Sequence, residues 1–314
     1  MTVRSSGFRV PWLVNREPGT LNAEPMPTIS QAITEGSRRL HAAGTDQDLL
    51  TAGLLLRHVM GVDRTQLLTR SDEQIDEAHY RAYLTLIERR AAGEPAQYLT
   101  GRQEFYGLEF IVTPNVLIPR QETEFLIERV LRLVEETRQE SPLIVDVGTG
   151  SGCIAVTLAM QLPLARLIAT DAFCGALDVA RTNADRHGVR ARIEFLEGDL
   201  LAALTERTLE DGVDVLASNP PYVNEESRES LQREVRDWEP HAALFGGDDG
   251  LDFYRRLIAE SPRYLKPGGF VVLEIGFSQV DPIFEIVKGS ALELVDITPD
   301  LQGIPRTLCL RRPA

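Results

Sequence analysis

Asn219, Pro220, Pro221 and Tyr222 follow one another directly after the apolar run "VDVLAS". An asparagine side chain offers an amide oxygen as acceptor, and a proline keeps its carbonyl while its ring fixes φ. Pro221 also confines Pro220 to an extended conformation. Two rigid acceptors side by side suit a planar amino group, which brings two N–H bonds. Such a nitrogen is a poor nucleophile, because its lone pair is delocalised into a carbonyl or a ring. Held by the Asn219 side-chain oxygen and the Pro220 carbonyl, it is aligned on an electrophilic methyl group. The positive charge that develops on nitrogen is stabilised at the same time. No strong base is needed, because the nitrogen becomes acidic as the new bond forms. Tyr222 is expected to wall the site and pack on the flat group. A glutamine side-chain amide and the adenine exocyclic amine both meet these requirements.

A second cluster precedes it. "DVGTGSGCIAV" carries Asp146, Gly148, Thr149, Gly150, Ser151 and Gly152 at a turn from an apolar strand into a helix. Glycines there let the backbone approach a ligand closely. The spacing is not the G-x-G-x-x-G of a dinucleotide fold, because Gly152 arrives one residue early. Asp146 would repel a pyrophosphate but could hold a cationic amino group. S-adenosylmethionine has an ammonium and a sulfonium and no phosphate, so the loop favours that cofactor. Asp171, about 20 residues further on, ends the next strand and suits the ribose hydroxyls. Asp199 can accept from the adenine amino group, with Leu200 against the ring. Each aspartate alone could be a solvated strand end or a helix cap. At successive strand ends they converge on one crevice.

The elements that must position these residues follow from periodicity. "LIVDVG", "ARLIATD", "ARIEFLEGD", "VDVLASN" and "GGFVVLEIG" are short β-rich runs separated by segments of helical composition. That alternation predicts a doubly wound parallel sheet. "LELVDITPD" and "RTLCLRR" are joined by "LQGIP", too short for a parallel crossover of about a dozen residues, so this pair is antiparallel. The result is the seven-stranded, Rossmann-like architecture of the class I methyltransferases. Upstream, Thr28 and Gln31 form a capping box before "TISQAITEGSRRLHAAG", and Thr45 is placed to cap the helix that stops at Gly61. Tyr80, Tyr83, Leu84 and Ile87 recur at helical spacing and read as core, in a helix that Gly93 ends. "EFYGLEFIVTP" turns at Gly107 as a β-hairpin. These limits predict a loosely ordered tail over 1–27, a helical domain over 28–93, a hairpin linker over 94–120 and a catalytic domain over 121–314.

Composition narrows the partners. The chain of 314 residues has a net charge of −14, and only Lys266 and Lys288 are lysines. A duplex-binding protein needs a basic footprint, so nucleic acid is not an expected partner. Cys153, Cys174 and Cys309 make neither a disulfide framework nor a zinc site, and the histidines add no metal spacing. Neither a membrane-spanning run nor a secretory leader is evident. A monomer in a reducing cytoplasm, with no metal, is the expectation.

"EPAQYLTGRQEFYGLEFIVTPNVLIPRQETE", "DVGTGSGCIA", "SNPPYV", "EVRDWEPHAALFGGDDGLDFYRRL" and "YLKPGGFVVLEIG" together resemble the HemK-type glutamine N5-methyltransferases of peptide chain release factors. The resemblance covers nearly all of residues 28–314. It implies methylation of the glutamine in the Gly-Gly-Gln motif of class I release factors, with the helical domain docking the protein substrate. It carries Asn219–Tyr222 over as substrate-binding residues, and Gly148–Gly152 and Asp171 as the cofactor site. Arg120, Glu122 and Glu124 become candidates for the substrate channel. A sister family acting on ribosomal protein L3 has a segment like "VPRSP" where this chain reads "IPRQETE". Gln121 stands where most members have proline, and Trp238 where many have tyrosine or phenylalanine. The alternatives are an adenine N6-methyltransferase acting on DNA or RNA and a glutamine methyltransferase of ribosomal protein L3.

Overall fold

The computed structural model describes residues 25–314 apart from 206, 208, 210 and 211. Most of the tail expected over 1–27 therefore lies outside the described residues. Five helices come first: α1 (Ile29–Ala42), α2 (Asp48–Met60), α3 (Arg64–Thr69), α4 (Glu77–Ala91) and α5 (Ala96–Thr100). The capping box forms, with the Gln31 N–H donating to Thr28 Oγ1 and the Thr28 N–H to Gln31 Oε1. Leu40, Leu55, Leu56, Tyr83, Ile87 and Leu99 fill the core between these helices. Tyr80 and Leu84 flank that core rather than enter it. Gly36 lets α1 and α4 touch: a Cβ there would lie 1.9 Å from the Tyr83 hydroxyl oxygen.

Thr45 does not cap α2. The cap position is Gln47, at φ 52° and with no side-chain hydrogen bond. The Thr45 N–H instead donates to the Leu40 carbonyl and closes the end of α1. The segment after Gly93 also differs from expectation, because α5 precedes the hairpin and sends Leu99 into the helical core.

The hairpin pairs β1 (Arg102–Phe105) with β2 (Leu108–Ile111). Tyr106 and Gly107 turn it with φ of 53° and 73°, the pattern of a two-residue primed turn. Then follow α6 (Glu124–Glu136), β3 (Leu143–Val147), α7 (Cys153–Gln161), β4 (Arg166–Asp171), α8 (Cys174–Arg186), β5 (Ile193–Glu197) and β6 (Val213–Ser218). The chain ends with α9 (Arg233–Trp238), α10 (Asp252–Glu260), β7 (Leu265–Glu274), α11 (Val280–Lys288), β8 (Glu293–Pro299) and β9 (Pro305–Arg311).

One sheet takes the order β5-β4-β3-β6-β7-β9-β8. The first five of these are mutually parallel, and β9 runs antiparallel between β7 and β8, as the short connection requires. Alternation along β3 serves both faces. Ile144 packs towards α6 and α7, while Val145 and Val147 pack towards α10 and α11. Chain order reverses between β3 and β6. Their carboxyl ends therefore open a crevice at the topological switch point, where the two candidate motifs both emerge.

Candidate active site

A cavity of about 830 Å³ occupies this crevice. Its wall includes Gly148, Thr149, Gly150 and Ser151 after β3, Asp171 after β4, Asp199 and Leu200 after β5, and Asn219, Pro220 and Pro221 after β6. Asp146, Gly152 and Tyr222 are not part of the wall, although the sequence placed them in the site.

The glycine loop is held from below. Gly148, Gly150 and Gly152 have φ of 74°, 54° and 80°, the left-handed region that glycine adopts without strain. A Cβ on Gly148 or Gly150 would meet nothing within 4 Å, so both border open space. A Cβ on Gly152 would meet the Ala180 Cβ at 3.0 Å, so that glycine serves the packing of α7 on α8. Asp146 is fully buried under the loop. Its Oδ2 accepts the Thr149 hydroxyl at 2.5 Å and the Ala155 N–H at 3.1 Å, while Oδ1 has no partner among the described residues. Burial pushes its carboxyl up to about 7. Asp146 thus shapes the loop. The N–H groups of Gly148 and Thr149 donate to the Thr170 carbonyl, and that of Gly150 to Asp171 Oδ2 at 2.9 Å. These donors are spent inside the protein. What the loop presents is a fixed concave shape and the buried Ser151 hydroxyl, whose oxygen has no partner among the described residues.

Asp171 accepts the Phe173 N–H at 3.0 Å on Oδ1 besides Gly150 on Oδ2. Each carboxylate oxygen keeps a second lone pair, so two further donors can still be met. Burial raises its carboxyl above the ordinary range. Asp199 is exposed and pairs with Arg256 Nη2 at 2.7 Å. Leu200 has a positive φ of 51°, which is costly for a branched residue and turns the chain sharply at the wall.

Asn219 Nδ2 donates to Thr123 Oγ1 at 3.1 Å, and its Oδ1 is buried without a partner among the described residues. No protein donor among the described residues reaches the Pro220 carbonyl either. Asn219 and Pro220 thus both line the cavity, each with an oxygen that no donor among the described residues reaches. Tyr222 turns the other way: its hydroxyl donates to Glu274 Oε1 at 3.3 Å, and burial raises its pKa. Thr123 donates to the other oxygen of Glu274 at 2.6 Å. Sequence reasoning missed Thr123 and Glu274. Burial pushes the Glu274 carboxyl up to about 7.

The "FGGDDGLD" stretch, quoted only for its resemblance, clamps the loop. The Gly246 N–H donates to the Val223 carbonyl, the Val223 N–H donates to the Leu244 carbonyl just before this segment, and Gln279 Nε2 donates to the Tyr222 carbonyl at 2.9 Å. Arg120 lines the cavity and pairs with the buried Glu239. Glu122 and Glu124 do not line it, and Glu124 instead accepts the Tyr106 N–H at the hairpin turn.

Comparison with known proteins fits this geometry. Residues 31–101 match the PrmC N-terminal domain and residues 121–235 the Methyltransferase small domain. The solved hMettl16 catalytic domain, in complex with MAT2A 3'UTR hairpin 6, superposes with a TM-score of 0.51 at 16% identity, covering 77% of this chain and 84% of that one. That likeness concerns the fold alone. Fold, site and domain match together define an α/β methyltransferase. The Release factor glutamine methyltransferase of Koribacter versatilis is 45% identical over 289 residues, covering 91% of this chain and 99% of its own. Proteins of the same name from Geobacter sulfurreducens and Moorella thermoacetica are 40% and 44% identical, with 95% and 96% of their lengths covered. The chain belongs to the release factor glutamine methyltransferase family. Among the described residues, no helix is long and apolar enough to cross a membrane.

Proposed function

We propose that this protein methylates the side-chain amide nitrogen, N5, of the glutamine in the Gly-Gly-Gln motif of class I release factors, using S-adenosylmethionine. The observation that carries the chemistry is the pair of unspent acceptors, Asn219 Oδ1 and the Pro220 carbonyl, on the cavity wall. Family membership along nearly the whole chain supports the substrate.

The residues fit the cofactor. The open space over Gly148 and Gly150, the spare Ser151 hydroxyl and the remaining lone pairs of Asp171 suit a polar nucleoside ligand. When bound, S-adenosylmethionine supplies an electrophilic methyl on sulfonium. Asn219 Oδ1 accepts one N–H of the substrate amide and the Pro220 carbonyl accepts the other. Neither acceptor must reorganise, because Pro220 and Pro221 fix the backbone and Thr123 holds the Asn219 amide. The nitrogen would form one new bond to the methyl carbon as the carbon–sulfur bond of the sulfonium breaks, with its electron pair left on sulfur as a neutral thioether, and would then release a proton to water. The two acceptors stabilise the charge present before that release. The helical region over 28–93 is proposed to dock the release factor against the catalytic domain over 121–314.

The test uses labelled S-adenosylmethionine, a release factor, and the same factor with its Gly-Gly-Gln glutamine replaced. Label on the intact factor alone supports the proposal. Equal labelling of both factors, or transfer to duplex DNA or structured RNA, overturns it.

A further inference from the structure

Four polar side chains from two strand ends and a helix start form a chain of three hydrogen bonds beside the cavity. Asn219 and Tyr222 lie after β6, Glu274 ends β7, and Thr123 immediately precedes α6. Thr123 and Glu274 are both essentially inaccessible, at 2% and 1% exposure, so water is not available to replace these partners. The direction of the bonds follows from counting protons. A threonine hydroxyl has one proton, and Thr123 gives it to Glu274 Oε2 at 2.6 Å. Only lone pairs then remain on Thr123 Oγ1. The Asn219 atom 3.1 Å away must be a donor, which makes it Nδ2. Oδ1 is thereby forced to the opposite side, where it has no partner among the described residues.

Reversal of the amide would be penalised twice. Oδ1 would face a threonine oxygen with no proton to offer. The Asn219 NH₂ would face the NH₂ of the substrate, donor against donor. Glu274 in turn is kept as an acceptor on both oxygens, since the Tyr222 hydroxyl donates to Oε1 at 3.3 Å. The motif tyrosine and the motif asparagine are therefore tied to one carboxylate.

We infer that Glu274 is a positioning residue for methyl transfer, acting through Thr123 to lock the Asn219 amide with its oxygen turned towards the substrate nitrogen. The inference rests on the reading that Asn219 holds the amide to be methylated. Glu274 itself touches neither cofactor nor substrate.

The experiment separates the two ideas. In the full-length protein, the Asn219 side-chain NH₂ resonances, assigned by their loss in Asn219→Asp, report the bond to Thr123 with no substrate present. Thr123→Val is expected to shift them and speed their exchange with solvent, and Thr123→Ser to leave them near wild type. With a release factor as acceptor, kcat of Thr123→Val should fall about tenfold or more, while the affinity for cofactor stays unchanged. Thr123→Ser should restore kcat. Glu274→Gln, which like the protonated acid turns one of the two acceptors into a donor, should lower kcat towards the level of Thr123→Val, and Glu274→Leu, which removes both acceptors, should lose it like Thr123→Val. Unchanged Asn219 resonances in Thr123→Val overturn the inference whatever the substrate proves to be. So does a Thr123→Val enzyme with wild-type kcat. Failure of the wild-type enzyme to label a release factor counts against the proposed function, while the resonances still decide the lock.

Discussion

The ends of β3 and β6 lie side by side at one cavity, yet they treat their polar groups in opposite ways. After β3, the N–H groups of Gly148, Thr149 and Gly150 and the Asp146 Oδ2 are consumed by the protein itself. After β6, the Asn219 Oδ1 and the Pro220 carbonyl are left without protein partners among the described residues. The first end offers shape, fixed by internal bonds. The second offers unmet hydrogen-bonding capacity, held rigid by proline rings and the Thr123 contact. Binding a ligand by shape tolerates a satisfied backbone. Orienting a weak nucleophile needs acceptors that gain their partners only when the substrate arrives.

The largest effect should come from the unsatisfied end. Asn219→Ala removes one of the two acceptors and is expected to lower kcat by about a hundredfold or more. Cofactor affinity, measured by calorimetry, should stay close to wild type. An unchanged kcat would remove Asn219 from the chemistry and erase the contrast between the two ends.

At the shape-fixing end, Asp171 is the residue with acceptor capacity to spare. Asp171→Ala removes those lone pairs and releases the Gly150 N–H at once. Cofactor affinity should drop about tenfold or more, since hydrogen bonds to a charged group are the stronger kind. Wild-type affinity by calorimetry would mean that the loop holds its ligand without this carboxylate.

How the two ends read in the sequence differs for the same reason. Asn219 and Pro220 were legible because their chemistry shows in adjacent residues, and Asp171 because it ends a strand about 20 residues beyond the glycine loop. Gly152, Asp146 and Tyr222 were assigned to the cavity because they share a motif with residues that do line it. The turn of the loop sets the Gly152 backbone against Ala180, and the pleat sends the Asp146 and Tyr222 side chains to Thr149 and to Glu274. Thr123 and Glu274 escaped notice because their partners are far away in sequence, 96 residues between Thr123 and Asn219 and 52 between Tyr222 and Glu274. One sign was available: Glu274 interrupts the apolar run "FVVLEIG", and a carboxylate in a buried strand must find donors. The parallel sheet followed from the alternation of strands and helices, and its antiparallel edge from the short link before β9. The Thr45 cap failed because its backbone was needed to close α1.

The Glu274 carboxyl gives the contrast a pH dependence. Burial pushes it up to about 7; the Glu122 charge adds to the rise, and the Thr123 bond, Arg306 and the Tyr222 bond oppose it. Tyr254 donates to the Glu274 backbone carbonyl and leaves the carboxyl oxygens free for Thr123 and Tyr222. Protonation turns one of those oxygens into a donor and releases the Thr123 proton, so the Asn219 amide is no longer locked. Turnover should therefore fall as pH drops through about 7, by up to about tenfold per unit if the lock is essential. Glu274→Gln should flatten this acid limb. The same limb in Glu274→Gln would assign it to another group.

The smallest effect is expected at the outer rim. Asp199 lies on the cavity wall, and its bond to Arg256 is exposed on both partners. Exposed pairs contribute about 0–1 kcal/mol, because water screens them and two long side chains must be ordered. Arg256→Ala should change cofactor affinity by no more than about fivefold, and the change should shrink further as salt is raised. A loss as large as that of Asp171→Ala would show that Asp199 needs its arginine to be held in place. The rim at Asp199 would then resemble the β6 end, where a charged group outside the cavity is inferred to set the direction of a group within it.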